Sequence, residues 1–299
     1  MLRIWFLLLS ALAMTAFAAN SLLNRVALAD GEMGAWTFTL VRIGAAALVL
    51  AALANRKAWR EGSWFGGLAF VGYAGMFSYA YLQLDAGIGA LVLFATVQFT
   101  MVGWGLFKGE ILSALQWAGL ILALVALAVL VWPVGGVRDV APLPVFMMVL
   151  AGVGWGSYSL LGRGTINPLA VTSGNFLRAG VIAAAISPVL LNYVPETRPS
   201  DDGLLAAMIS GGVTTALGCT IWYKVMPKLT TAQAGVMQLS APAIAAVGGV
   251  ALLAEPLTLR FAAASFAILV GVAMVLFLKR SQTQSLASGA QSETAQASS

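Results

Sequence analysis

The sequence predicts an all-α membrane protein: ten transmembrane helices arranged as two inverted five-helix repeats around a central cavity. Three observations lead there. Of 299 residues, 60% are apolar and only 9% are charged, whereas a soluble domain usually carries about 25% Asp, Glu, Lys and Arg. The apolar residues form long charge-poor runs without sustained alternation, which argues for helices and against barrel strands. One short pattern also recurs in the two halves of the chain.

The runs fall at about 4–24, 34–54, 64–84, 87–107, 114–132, 142–162, 168–191, 203–223, 231–253 and 259–278. Each has roughly the 20 residues that a helix needs to cross a hydrocarbon core of about 30 Å. The first follows Arg3, and with Ala16-Phe17-Ala18 it also matches a secretory signal with a cleavage site. The repeat makes it the partner of a later helix, so it is read as part of the fold. Asp30 and Glu32 precede the second run, Arg60-Glu61 the third and Asp85 the fourth. Lys108-Gly109-Glu110 separates the fourth from the fifth, and Asp139 precedes the sixth. Pro168 opens the seventh, Asp201-Asp202 precedes the eighth, Glu255-Pro256 ends the ninth and Lys279-Arg280 ends the tenth. Residues 281–299 are rich in Ser, Gln, Ala and Thr and are expected to form a disordered cytoplasmic tail.

Lys and Arg concentrate on the cytoplasmic side of bacterial inner-membrane proteins. A cytoplasmic N-terminus places ten of the sixteen Lys and Arg in cytoplasmic segments and four opposite, and leaves Arg42 and Arg178 within spans. The expected protein is therefore multi-pass in a bacterial inner membrane, with both termini cytoplasmic.

Residues 17–25 read FAANSLLNR and residues 155–163 read WGSYSLLGR, so Ser-Leu-Leu-x-Arg ends the first and the sixth runs. A helix with one embedded arginine follows each, Arg42 in one case and Arg178 in the other. The chain divides into five-helix units at 1–137 and 138–280. Five is odd, so the second unit enters the membrane from the opposite side. Inverted halves can exchange conformations and open a central site alternately to each face.

These residues resemble the EamA-type repeats of the drug/metabolite transporter superfamily. The likeness is carried by Trp155-Gly-Ser-Tyr-Ser-Leu-Leu-Gly-Arg163 with its partner at 17–25, and by Gly109-Glu110 and Glu255-Pro256-Leu257. It is also carried by Trp222-Tyr223-Lys224 ahead of 232–242. Within the superfamily the chain is most similar to the YddG-type aromatic amino acid exporters. That resemblance implies a basket of ten helices exporting aromatic, and a broader range of, amino acids from the cytoplasm by alternating access. A multidrug or metabolite exporter of the same superfamily, with proton coupling, is the alternative. Many members carry a proline in the fourth helix, where this chain has Phe94, Thr96, Val97 and Gln98; Pro242 is kept in the second repeat.

Candidate substrate-binding residues are Asn20, Tyr79, Gln98, Trp155, Tyr158 and Gln238, with Pro242 as a hinge. Asn20 and Tyr158 are equivalent in the repeat, as are Phe17 and Trp155, and each helix presents its pair at i, i+3 on one face. Asn20 and Tyr158 also suit interhelical hydrogen bonding, and Trp155 suits an interfacial belt. Gln98 and Gln238 are amides deep in hydrocarbon, where an unpaired group is costly. Tyr79 and Tyr81 point to different faces of the third run, so at most one of them faces a cavity. Pro242 removes a backbone hydrogen bond near Gln238. Arg42 and Arg178 are read as scaffold cations that snorkel or meet helix-end carbonyls.

The chain has no His and one cysteine, Cys219. His-based catalysis, metal clusters and internal disulfides are therefore excluded, and no enzymatic site suggests itself. No cofactor, metal or nucleic acid is expected. The partners are a small-molecule substrate and the lipid bilayer, and a monomer is expected to suffice. No Asp or Glu falls in mid-span, which makes facilitated export the simplest expectation.

Overall fold

The structure, a computed structural model, describes residues 2–29, 31–54, 58–109, 111–131, 141–162, 165–225, 237–238, 240–271 and 273–274. The expected tail at 281–299, the joint at 226–236, the repeat boundary at 137–138, Glu110 and Arg163 lie outside them. The described residues are helical throughout their regular structure. In chain order they form α1 (Leu2–Ala29), α2 (Ala35–Leu53), α3 (Trp64–Tyr81), α4 (Ala86–Phe107) and α5 (Ala114–Val131). Then follow α6 (Pro142–Leu161), α7 (Pro168–Tyr193), α8 (Asp201–Val225), α9 (Ser240–Leu253) and α10 (Leu259–Gly271). Six of them, α1, α2, α4, α6, α7 and α8, are long and apolar enough to cross a membrane.

The helix starts follow from local chemistry. Ser63, Asn167 and Ser200 each accept a hydrogen bond from the backbone N–H three residues on, satisfying a donor that a helix start leaves orphaned. Pro142 and Pro168 occupy first-turn positions where a missing N–H costs nothing. Carboxylates reach across loops to cap two other helices. Glu196 accepts from the N–H groups of Trp36 and Thr37 at 2.9 and 3.0 Å, and Glu255 accepts from Ala86 at 2.7 Å. Negative charge at a helix N-terminus also complements its dipole.

Large apolar side chains face outward, among them Leu48, Phe107, Val247 and Phe266, each at least 70% exposed. Polar groups are turned inward: Asn20, Asn24, Thr39, Arg42, Ser78 and Gln98 are all buried. That inversion of the soluble pattern is what a lipid solvent demands.

The two halves interlock rather than sit side by side. Helix α6 packs against α3 and α4, while α1 packs against α8 and α9. Helix α3 packs against α7, α2 against α8, and α4 against α9. The Gly152–Gly156 face of α6 lies directly on Thr96 and Thr100 of α4, with no room for a Cβ at either glycine. This is the small-xxx-small mode of close helix approach. Helices α5 and α10 form an outer layer, joining Ala123, Ala126, Ala264 and Ile268 to Leu91 and Ala95 of α4.

Candidate functional site

Where α1, α2, α3, α4, α6 and α8 converge, a small chamber is lined by Phe17, Asn20, Ser21, Arg42, Tyr73, Phe77, Leu93, Phe94, Trp155, Thr214, Thr215 and Cys219. Its free space is about 20 Å³, room for about one water molecule. The walls are of two kinds.

One wall is aromatic. Trp155 meets Tyr73 at 5.0 Å and Phe17 at 5.9 Å between ring centroids, and Phe17 also meets Trp222 at 6.1 Å. Tyr73 continues to Phe77 at 5.3 Å, and Phe77 to Tyr81 at 4.7 Å. Phe70, Tyr73, Phe77 and Tyr81 recur at helical spacing, so α3 presents one aromatic stripe along its length.

The other wall is a polar network. Asn20 accepts from the Ser210 and Thr214 hydroxyls and donates to the Tyr73 hydroxyl at 3.5 Å. Arg42 donates through Nη2 to the Tyr73 hydroxyl at 2.9 Å and through Nε to Thr215 at 3.2 Å. Asn24 donates to the Asn20 carbonyl, Ser78 to Asn24, and Thr39 to Ser78. Ser210, Thr214 and Thr215 lie in a π-helical stretch of α8, Ser210–Leu217. The wider turn changes the angular spacing of side chains and brings these hydroxyls toward α1 and α2 together. Gly211 in the same stretch sits directly on the Arg42 carbonyl, leaving no space for a Cβ.

Among the described residues, two openings lie toward opposite ends of the bundle, one among the ends of α1, α3, α4, α9 and α10 and one between α7 and α8. The vestibule is about 350 Å³ and is bordered by Arg25, Asp85, Glu255, Arg260 and Phe261. Arg25 pairs there with Asp85 at 3.5 Å and with Glu255 at 3.6 Å. Burial pushes the Glu255 carboxyl above its ordinary range, against the lowering effects of the Ala86 N–H and the Arg25 guanidinium. Ala254 adopts a positive φ of 51°. This left-handed residue, with the Glu255 N–H donating to the Gly249 carbonyl at 3.1 Å, ends α9 and turns Glu255 toward α4. At the other end a cleft of about 110 Å³ is lined by Asn167, Thr172, Thr220, Tyr223 and Lys224.

Tyrosines separate the three spaces. Tyr81 is fully buried; its ring meets Phe77 of the chamber and its carbonyl accepts from Arg25 of the vestibule at 3.3 Å. Toward the cleft, Tyr158 stacks on Trp155 at 5.7 Å, and its hydroxyl is buried beside Thr172, Asn175 and Tyr223.

The structure brings Asn20 and Trp155 into the chamber wall and sets Tyr158 against it. Tyr79 stands outside the lining, half-buried near Glu196, because α3 turns Tyr73 and Phe77 inward instead. Gln98 and Gln238 are buried outside the lining, and Gln98 Nε2 and Gln238 Oε1 have no hydrogen-bond partner. Pro242 is buried near the start of α9.

The two arginines diverge. Arg178 donates to the carbonyls of Glu61 and Gly174 and lies over the Trp64 ring, as a helix-end scaffold cation would. Arg42 does not snorkel: it is 1% exposed and lines the chamber. Counted from the helix starts at Ala35 and Pro168, Arg178 corresponds to Ala45. That is three residues beyond Arg42, roughly 300° around the helix. Tyr73, Phe77 and Arg42 are chamber residues absent from the sequence-based candidates. The 70-73-77-81 aromatic spacing was the signal that could have found the first two.

An all-helical bundle with an apolar exterior and a polar–aromatic chamber at its centre defines a polytopic membrane protein built around an internal site. Residues 142–277 match the EamA-like transporter family, of the drug/metabolite transporter superfamily. It is 44% identical over 274 residues to an uncharacterized protein of Pseudomonas aeruginosa, covering 90% of this chain and 94% of that one. It is 25% identical over 203 residues to an uncharacterized transporter of Archaeoglobus fulgidus, covering 65% and 69% respectively. A solved protein crystal structure superposes with a TM-score of 0.64 at 18% identity, covering 92% of this chain and 98% of that one, so the two share a fold. The family matched over residues 142–277 is one of transporters, not of enzymes.

Proposed function

We propose that this protein exports amino acids, aromatic ones foremost, across a bacterial inner membrane by alternating access and without ion coupling. The observation that carries the reading is a buried chamber of rings and hydroxyls, with Tyr81 packed beside it toward the vestibule and Tyr158 toward the cleft. Once the surrounding helices part and enlarge the chamber, an aromatic side chain meets ring faces at Phe17, Tyr73, Phe77 and Trp155. The backbone groups of an amino acid find Asn20, Ser21, Thr214 and Thr215. Gln98, Gln238 and Tyr158 border the route in this reading, and Pro242 is the hinge of α9.

The pattern of helix packing supports two inverted units, 1–137 and 138–280. Exchanging each helix with the one five places along maps α3–α6 packing onto α8–α1, and α4–α6 onto α9–α1. It maps α3–α7 onto α8–α2 and returns α4–α9 to itself. With both termini cytoplasmic, the vestibule opens outward and the cleft inward. Among the described residues no Asp or Glu lines the chamber, which favours facilitated flux down the substrate gradient.

Uptake of radiolabelled L-phenylalanine into proteoliposomes tests this, with and without a proton gradient. Saturable flux independent of ΔpH is expected; strict dependence on ΔpH would sink the uncoupled mechanism. Trp155→Ala is expected to lower that flux about tenfold or more, since ring stacking at a buried site is worth roughly 1 kcal/mol beyond area. Unchanged flux would remove Trp155 from the site.

A further inference from the structure

We infer that Arg42 is an anion receptor and that the chamber takes substrates bearing a carboxylate. The inference rests on the transport reading above and narrows it to a chemical class.

Arg42 is among the largest fully buried side chains in the protein. A buried guanidinium is normally paired with a carboxylate, because leaving the charge uncompensated costs several kcal/mol. Among the described residues none pairs with it. Asp85 and Glu255 face Arg25 at the vestibule, and Glu196 caps α2. What Arg42 has instead is neutral: the Tyr73 and Thr215 hydroxyls, and the Tyr73 and Phe77 ring faces, both at 5.2 Å. Those contacts hold Nε and Nη2. Nη1 has no hydrogen-bond partner.

A guanidinium presents five N–H donors in a planar fork that matches a carboxylate. Here one arm of the fork is fixed by protein hydroxyls and the other is left free at the chamber wall. A scaffold role leaves Nη1 unexplained, whereas a ligand oxygen satisfies it and neutralises the charge. The ligand charge is set by the same count. Among the described residues, Arg42 is the sole Lys or Arg in the chamber lining and no acid accompanies it. One negative charge is balanced, a phosphate dianion is not, and a cationic ligand meets an uncompensated positive charge. The aromatic wall receives the remainder of the molecule, and its ring faces are the acceptors left for an ammonium group.

The test compares three probes of nearly one shape in wild-type protein: L-phenylalanine, 3-phenylpropionate and L-phenylalaninamide. Detergent-purified protein gives binding by calorimetry, and proteoliposomes give counterflow; tryptamine is included as a carboxylate-free probe. Binding of the first two at least tenfold tighter than the amide is expected. Arg42→Gln is expected to abolish that preference, and Arg42→Lys to restore part of it. A charge-assisted hydrogen bond of this kind corresponds to about ten- to a hundredfold in affinity. The wild-type comparison needs no variant, so a poorly folding Arg42→Gln does not decide the matter.

Carboxylate flux that is equal in wild type and a folded Arg42→Gln overturns the assignment and leaves the transport reading intact. Flux of tryptamine without binding of either carboxylate also overturns it, with transport again standing for another substrate. No flux of any probe overturns both.

Discussion

Arg25 and Arg42 stand in two regions of one membrane protein, and their surroundings are opposites. Arg25 sits at the vestibule with Asp85 and Glu255 against it, each partly reached by water. Arg42 lies fully buried among hydroxyls and rings, with one nitrogen unmatched. The protein supplies the counter-charges at the vestibule and withholds them in the chamber. Charge neutralised by the chain holds helices together; charge left open is available to a ligand. Their cost differs as well, because water screens the first and only protein dipoles stabilise the second.

The largest effect that would break this contrast is steric. Gly211→Val forces a side chain into the Arg42 carbonyl, separating α2 from α8 and displacing the Thr215 partner. A loss of about 3 kcal/mol or more is expected, seen as loss of a monodisperse peak in size-exclusion chromatography. A well-folded variant with normal melting would mean the close approach is dispensable.

Removing Arg25 is next. Arg25→Gln leaves Asp85 and Glu255 without their shared cation, and about 1–3 kcal/mol of stability should go. Thermal melting in detergent measures it, and adding Glu255→Gln to that variant should recover part of the loss. If the double variant melts lower than the single one, the three side chains do not act as a cluster.

A smaller effect concerns pH. Burial raises the Glu255 pKa above its unfolded value, so the folded protein binds this proton more tightly. Its contribution to stability is fully present below the ordinary carboxylate pKa and is lost as pH rises through the raised value. Glu255→Gln should flatten the melting profile across that window. An identical slope in both proteins would count against a raised pKa.

The smallest change is expected outside the chamber. Tyr79→Phe should alter L-phenylalanine flux less than twofold, because α3 directs Tyr73 and Phe77 inward instead. A larger loss in a normally folded protein would place Tyr79 on the substrate route after all.

Much of the fold was legible from run lengths. The charge-poor segment at 87–107 became α4, Ala86–Phe107, and that at 142–162 became α6, Pro142–Leu161. Length and charge determine such boundaries, since every backbone group in hydrocarbon must be bonded within its own helix. The close approach of α6 to α4 rests on a local pattern too, since Gly152 and Gly156 lie four apart on one face of the helix. The chamber was legible only in part. Asn20 and Trp155 are legible through the repeat, which pairs them with Tyr158 and Phe17, while Tyr73 and Phe77 are legible only through the 70-73-77-81 spacing, which marks a stripe on α3 but not what that stripe faces. The π-helical turn at Ser210–Leu217 had no reliable local signal; it depends on how α8 is held against α1 and α2.

Arg42 and Arg178 mark the division most clearly. The sequence by itself determined that two arginines lie within apolar helices, that the protein is a membrane protein, and that Ser-Leu-Leu-x-Arg recurs at 21–25 and 159–163. Tertiary structure decided which arginine faces the centre and which meets a helix end. A few residues of register turn a side chain to another face of its helix, and only packing against neighbours says what waits there.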